Sequence, residues 1–439
     1  MNKRIDELQL ITKLTTEDLI PIQTLDGTKS IKLVQAIDNT IRERYSFASV
    51  YDYGIKEGFN VNVEENTANF QRMIEECKDT KIILFPAGNF VFNEVNLGQK
   101  ANVIIQGVSS NFASFANKNI YTGALRDTFT RIICNADPGK TFFNHQACVL
   151  VLENIGFYNL KKDESGNFIE EEAKTNVLMQ HIVDEKYTKN LGKGKAFCTN
   201  CGFFGWKVVF GSEYTFQHLE DEWNTGITRE NYEFIKQSCV MANRCRFTKN
   251  GIAINQTVDG RIIDCSFNKN DYAIVFRENS GFSTIDSCRI EWNIYNGIYC
   301  ELAHEVTVTD AEFDCNGYAG LYAVENTNSN FQGVFRRNGA KIETTEASKS
   351  DYKNNVHIYA KGNVNCNFIG CNTTAKPISD VGSAPKRPSN STCFIENDGC
   401  IVALNNFCGC TKSDKNDANK FENNVNCIIK NNVRLNNVE

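Results

Sequence analysis

The chain carries no basic tract. Its 439 residues hold 47 Lys and Arg against 53 Asp and Glu, a net charge of -6, so it is poorly suited to gripping a nucleic-acid backbone or an anionic membrane. It also lacks any apolar run of membrane-spanning length. The opening Met1-Asn2-Lys3-Arg4-Ile5-Asp6-Glu7 has no apolar stretch, which predicts that there is no signal peptide. Proline is scarce, at 6 residues. What is present is 41% hydrophobic, with 30 Phe and 18 Cys. The length is too great for one ordinary compact core, but a solenoid escapes that limit by adding core rung by rung along one axis. Without a secretory leader, the cysteines are expected to be free thiols in a protein made in a reducing cytoplasm.

The strongest signal is a repeat. Cys201-Gly-Phe203, Cys245-Arg-Phe247, Cys265-Ser-Phe267, Cys288-Arg-Ile290 and Cys366-Asn-Phe368 each place two apolar side chains two residues apart, on one face of a strand. From Phe247 through Phe267, Ile290 and Phe313 to Phe335 the step is roughly 20 to 23 residues, a solenoid period. Turns follow at Asn250-Gly251, Asn270-Asp271, Asn296-Gly297, Asn316-Gly317 and Asn338-Gly339, where Asn and Gly are expected to supply left-handed corners. Alternating strands such as Ile252-Ala-Ile254 and Leu321-Tyr-Ala-Val324 come next. The pattern predicts an all-β, right-handed, single-stranded parallel β-helix in which Cys245, Cys265 and Cys288 stack inward beside the Phe ladder. Cys198-x-x-Cys201 and Cys408-x-Cys410 have the spacing of zinc half-sites. No histidine pairs flank them and Cys201 keeps the ladder phase, so the reading is buried core, with no metal and no cofactor.

Three regions are expected. Residues 1–46 read as a short attachment segment, with a hairpin around Asp26-Gly27 and a helix from about Val34 to Arg44. Residues 47–100 read as the first turns of the solenoid with a capping helix at about 66–78: Glu65-Asn66-Thr67 is the start signal and Phe70, Met73, Ile74 and Cys77 share one face. An open solenoid end exposes core and strand edges, so it needs such a cap. Residues 101–439 read as β-helix with insertions near 159–195 and 212–238 that can wall a lateral groove. A Pro-, Ser- and Gly-rich loop spans 377–392, with less regular rungs at Cys393, Cys400, Phe407 and Cys427.

The run Tyr51-Asp-Tyr-Gly54, Glu65-Asn-Thr-Ala-Asn-Phe-Gln71, Ile83-Leu-Phe-Pro-Ala-Gly88, Phe90-Val-Phe92 and Asn102-Val-Ile-Ile-Gln-Gly107 resembles the opening region of the pectate-lyase-like superfamily. Glu65-Asn66 stands where that family has an Asp-Asp pair. Residues 8–37, with Leu19-Ile-Pro-Ile-Gln and Asp26-Gly-Thr-Lys, look like the N-terminal attachment segment of bacteriophage tail fibres and tailspikes. The resemblance implies a tailspike: a virion tail protein, made in the host cytoplasm, usually a homotrimer. Such a protein binds, and often cleaves, bacterial surface polysaccharide, and joins the phage tail or baseplate through residues 1–46. The alternatives are a non-catalytic receptor-binding or structural appendage, and a secreted carbohydrate-active enzyme. The paired-Asp and Gly-His-Gly signatures of polygalacturonases are absent.

The register also places chemistry. Residues flanking the inward Phe point outward, which predicts that Glu291 and Asp314 sit on adjacent rungs with Glu312 beside them. Two carboxylates roughly 5–5.5 Å apart suit a retaining glycosidase, and 6.5–9.5 Å an inverting one. Glu291, Asp314 and, in reserve, Glu312 are therefore the candidate catalytic residues, one of a close pair being expected to hold its proton more tightly. Arg289 is a candidate to bind a sugar carboxylate or to hold a partner ionised. Trp292, Tyr295 and Tyr318 are candidates for sugar stacking, with Trp223 leaning in from an insertion. The plainer reading is a solvated ion-pair ladder. His218 and His304 are candidate lyase bases, whereas His145, His181 and His357 read as structural.

Overall fold

The computed structural model describes residues 19–24, 27–32, 46–99, 101–110, 129–146, 148–181, 194–211, 238–277, 280–339, 356–374, 392–408, 419–430 and 433–435. The expected helix at 34–44, the 212–237 stretch with His218 and Trp223, the 377–391 loop and Cys410 lie outside them. Within them the chain is a right-handed parallel β-helix. Each regular rung supplies three short strands, one to each face of a prism. Around the middle, Thr284–Asp286 lies on a first face, Arg289–Glu291 on a second and Ile298–Glu301 on a third. The first two faces merge into one 23-stranded sheet because Thr307–Asp314 and Asn330–Arg336 run round their shared corner, while the third face is an 11-stranded sheet. Leu19–Thr24 and Gly27–Lys32 pair antiparallel as a separate hairpin.

The apolar register is the expected one. Phe247 pairs with Phe267, Phe267 with Ile290, Ile290 with Phe313 and Phe313 with Phe335. All are buried, and the Phe247–Phe267 and Phe313–Phe335 rings stack at 4.7 and 4.5 Å, within 3° of parallel. Fifteen of the sixteen cysteines with described side chains are buried, and all sixteen are free. Cys245, Cys265 and Cys288 sit at the corner just before the second-face strands, and burial holds the thiols of Cys198 and Cys245 well above their usual range.

The corners differ from expectation. Lys249, Lys269, Trp292, Cys315 and Arg337 are left-handed, each one position before an asparagine, and of the expected turn residues only Gly339 is left-handed as well. The asparagines themselves, Asn250, Asn270, Asn293, Asn316 and Asn338, are buried and form a ladder. Each of the first four donates from Nδ2 to the Oδ1 of the next at 2.8–3.0 Å. Every one also donates to a backbone carbonyl of the preceding rung. Asn293, not Asn296, is the ladder member in its rung. A second ladder, Asn326–Asn363–Asn397–Asn424, lines the corner between the third and first faces. Asparagine is required here because a tight corner pulls backbone groups out of sheet register, and a buried amide can satisfy a carbonyl and an amide of neighbouring rungs at once.

The capping helix spans Val63–Cys77, and its N-cap is Asn62, which accepts from Glu65 N at 3.1 Å. It starts three residues before the expected point because Asn66 is used inside the fold, bonded to both Lys56 N and Lys56 O. Phe70, Met73, Ile74 and Cys77 face the first rungs as expected, and Phe70 packs 4.7 Å from Phe92. After the second-face strand Gly156–Tyr158 the chain makes an antiparallel hairpin, Leu160–Lys162 with Phe168–Glu172, then rejoins the third face at Val177–His181.

Two stability outcomes follow. Phe267→Ala is expected to cost about 3–5 kcal/mol, the usual loss for a buried Phe. Asn293→Ala is expected to cost about 3 kcal/mol, because it strands the Asn270 amide, the Phe267 carbonyl and its own rung's corner at once. Denaturant midpoints of the two variants check both, and a loss near zero in either would contradict the packing described.

Candidate functional site

The second face presents two outward columns. One runs Gly202, Arg246, Ser266, Arg289, Glu312, Val334; the other runs Phe204, Thr248, Asn268, Glu291, Asp314, Arg336. Glu291 and Asp314 are register partners on adjacent rungs, which puts their backbones about 4.8 Å apart. Arg289 and Glu312 are partners in the column beside them. The expected cluster of Glu291, Asp314, Glu312 and Arg289 is thus brought together.

Every carboxylate in it is engaged. Glu291 accepts from Asn268 Nδ2 at 3.1 Å, and its other oxygen lies 3.1 Å from Arg289 Nη2. Glu312 pairs with Arg336 and stands 3.7 Å from Arg289 Nε. Asp314 is only 4% exposed, and both its oxygens take Arg337, from Nε at 2.7 Å and from Nη2. Arg337 was not among the residues singled out from the sequence. It occupies the left-handed corner position one residue past the outward strand position, so a two-residue strand alternation misses it, although its place before Asn338 marks it.

The aromatic candidates lie at the next corner. Trp292 is half-buried with φ +57°. Tyr295 stacks 4.9 Å from Tyr272 and meets Tyr318 at 5.1 Å with the rings tilted by 52°, forming a column along the axis. Trp223 lies outside the described residues. His304 sits at the corner between the third and first faces, its Nδ1 against Thr327 Oγ1, away from the carboxylates. A second cluster on the third face was not singled out either: Tyr299 stacks 4.5 Å from Tyr322, donates to Glu301 at 2.7 Å and lies under Arg277. Burial pushes the Tyr299 and Tyr322 hydroxyls above their usual range. Among the described residues, no group of three His, Cys, Asp or Glu side chains is arranged to hold a metal ion, and no helix is long and apolar enough to cross a membrane.

No protein-family model matches the chain. Among solved structures, the chain is similar to the enzymatically active domain of tailspike protein 2 from bacteriophage CBA120. The TM-score is 0.53 at 11% identity, over 89% of this chain and 50% of that one. The two share the parallel β-helix fold. Tailspike protein 3 of the same phage gives a TM-score of 0.47 at 12% identity, over 92% of this chain and 64% of that one. DFA-IIIase from Arthrobacter chlorophenolicus gives 0.49 at 13% identity, over 82% and 87%. At these identities the likeness is one of fold, and the chain spans about half the length of the tailspike 2 domain that it matches.

His357 ties this face to the core. It is fully buried at the end of the first asparagine ladder, with Nδ1 3.3 Å from Asn338 Nδ2. With Nδ1 accepting, Nε2 carries the proton, and it has no partner among the described residues. Burial drives its pKa down to about 4, against a smaller opposing pull from Asp314. The unfolded chain, with an ordinary imidazole near 6.5, therefore binds a proton that the folded chain refuses between those values. This contribution to stability is full above about pH 6.5 and falls as the pH drops towards 4, by about 3 kcal/mol. Unfolding free energies of the parent and of His357→Gln, compared at pH 7 and pH 4, should differ by that amount in their pH dependence. Equal dependence in both would refute it.

Proposed function

We propose that the chain is a tailspike-like protein that binds a bacterial surface polysaccharide along its second face and depolymerises it as a glycosidase. The observation that carries this reading is the pair Glu291 and Asp314, in register on adjacent outward rungs of a β-helix. Asp314, whose oxygens both receive Arg337, fits the role of base or nucleophile. Glu291, more open to solvent and held by Asn268 and Arg289, fits that of proton donor to the leaving oxygen. A one-rung spacing suits retention, and the longer diagonal from Glu291 to Glu312 suits inversion. The column of Tyr272, Tyr295 and Tyr318 offers an aromatic surface at the neighbouring corner for contact with sugar rings.

A second reading is a non-catalytic receptor-binding appendage. It is favoured by the same ion pairs, since each carboxylate already has an arginine partner, as in a purely structural ladder. Incubation with capsular polysaccharides of candidate hosts, scored for new reducing ends and for unsaturated products, separates glycosidase, lyase and binder. Glu291→Gln and Asp314→Asn are each expected to lower cleavage by at least a hundredfold with the β-sheet spectrum intact. Cleavage at the parental rate in both would move the chemistry elsewhere, and binding without cleavage by the parent would favour the appendage.

In this reading residues 1–46 join the virion tail or baseplate, and the assembly is a homotrimer. The leader's hairpin pairs only with itself in the described sheets. A chain starting at Ser46 is therefore expected to keep its melting temperature within a few degrees while losing incorporation into particles. Collapse of the truncated protein would make the leader a part of the fold.

A further inference from the structure

Upstream of the carboxylates, at the corner between the first and second faces, lies a concavity of about 340 Å³. Ser109, Ser110, Asn154, Asn200, Arg244 and Arg246 line it. None of these side chains is acidic. Asn200 is tied to Asn154 at 3.2 Å, and Ser110 donates to the Asn200 carbonyl, so the amide and hydroxyl wall is braced from within. Arg244 has an acidic neighbour, Asp264 at 3.6 Å, in an exposed pair. Arg246 is exposed and forms no ion pair among the described residues. Two guanidinium groups facing one concavity, with amides and hydroxyls as the remaining donors, form a local positive field on a chain whose net charge is -6. A guanidinium fork matches a carboxylate or phosphate bidentately.

Position adds the second argument. Arg246 pairs with Ser266, Ser266 with Arg289 and Arg289 with Glu312. Arg246 is therefore two rungs from Glu291 and three from Glu312 and Asp314, about 10 and about 14 Å at ~4.8 Å per rung, along the axis. The outward residues of the rung between Arg246 and Glu291, Ser266 and Asn268, are short and polar, and Arg289 follows in the next rung of the Arg246 column. A glycan lying along this stripe would meet Arg246 a few sugars from the bond presented to Glu291 and Asp314.

We infer that this concavity is a subsite for an anionic group of the glycan, a carboxylate or a phosphate, and that the ligand is an acidic rather than a neutral polysaccharide. The inference rests on the proposed glycan-binding function. The probe is an array of bacterial surface polysaccharides, each printed native, carboxyl-reduced and dephosphorylated, with the full chain as analyte. The parent is expected to bind acidic glycans and to lose at least tenfold in affinity on one of the two treatments, which names the group recognised. Arg246→Ala and Arg246→Gln should each lose at least tenfold in affinity, with an unchanged melting temperature and a weaker dependence on sodium chloride. Lys140→Ala, outside this stripe, should bind as the parent does. Binding of neutral glycans only, or parental affinity in both Arg246 variants, overturns the anionic subsite and leaves glycan recognition standing. Failure of the parent to bind any glycan on the array overturns both.

Discussion

The buried side-chain amide at the corner of each rung is the interaction on which the remaining structure depends. In a parallel β-helix the flat faces need no special sequence, because backbone groups pair from rung to rung along the axis. The corners are the difficulty. There the chain leaves the sheet, and its amides and carbonyls would be buried without partners at a cost of about 1–3 kcal/mol each. Asn250, Asn270, Asn293, Asn316 and Asn338 remove that cost by repeating the sheet's own hydrogen-bond pattern with side chains. Because each amide bonds to the next rung's amide, the ladder also forbids a rung from sliding. A slip of one residue would turn Phe267 outward and Asn268 inward. The alignment of outward residues into columns, and with it any extended binding surface, is inherited from this buried polar network.

How much of this was legible follows from which patterns are redundant. The Cys–Phe phase recurs in many rungs, so one irregular spacing does little harm, and the pairing of Glu291 with Asp314 could be placed from it. The asparagines were visible too, but their role was misread. Asn before Gly is an ordinary turn signal, and nothing local separates a left-handed Asn from a buried amide one residue past a left-handed Lys or Arg. The distinction comes only from the neighbouring rung, which supplies the acceptor. The same displacement hid Arg337: it sits on the corner residue, outside the two-residue alternation from which the outward positions were counted. The helix start was misplaced for a related reason, since Asn66 serves Lys56 rather than the helix end.

The arginines of the second face are also set by the neighbouring rungs. A solenoid stacks like on like, so carboxylates at equivalent positions of adjacent rungs repel unless counter-charges are interleaved. Arg289 faces Glu312 in register and Arg336 reaches it diagonally from the adjacent column, so counter-charges are interleaved whatever the face does. Exposed pairs of this kind contribute little to stability. Their presence therefore does not distinguish a catalytic face from a structural one.

Asp314 is the exception that stacking does not explain. It is the one member of the carboxylate group that is nearly buried, and its counter-ion comes from the following rung's corner rather than from a neighbour in its own column. Burying a carboxylate is costly unless it is fully paired, and a Ser or Asn at this position would satisfy the fold without that cost. It lies between a half-buried glutamate, Glu291, and the buried His357 at the end of the amide ladder. A carboxylate held through both oxygens by a corner arginine, and in register with a partner carboxylate, is fixed in the way a positioned catalytic group requires. If the second face performs chemistry, the asymmetry between Asp314 and its half-buried neighbours Glu291 and Glu312 is where the selection for it is written.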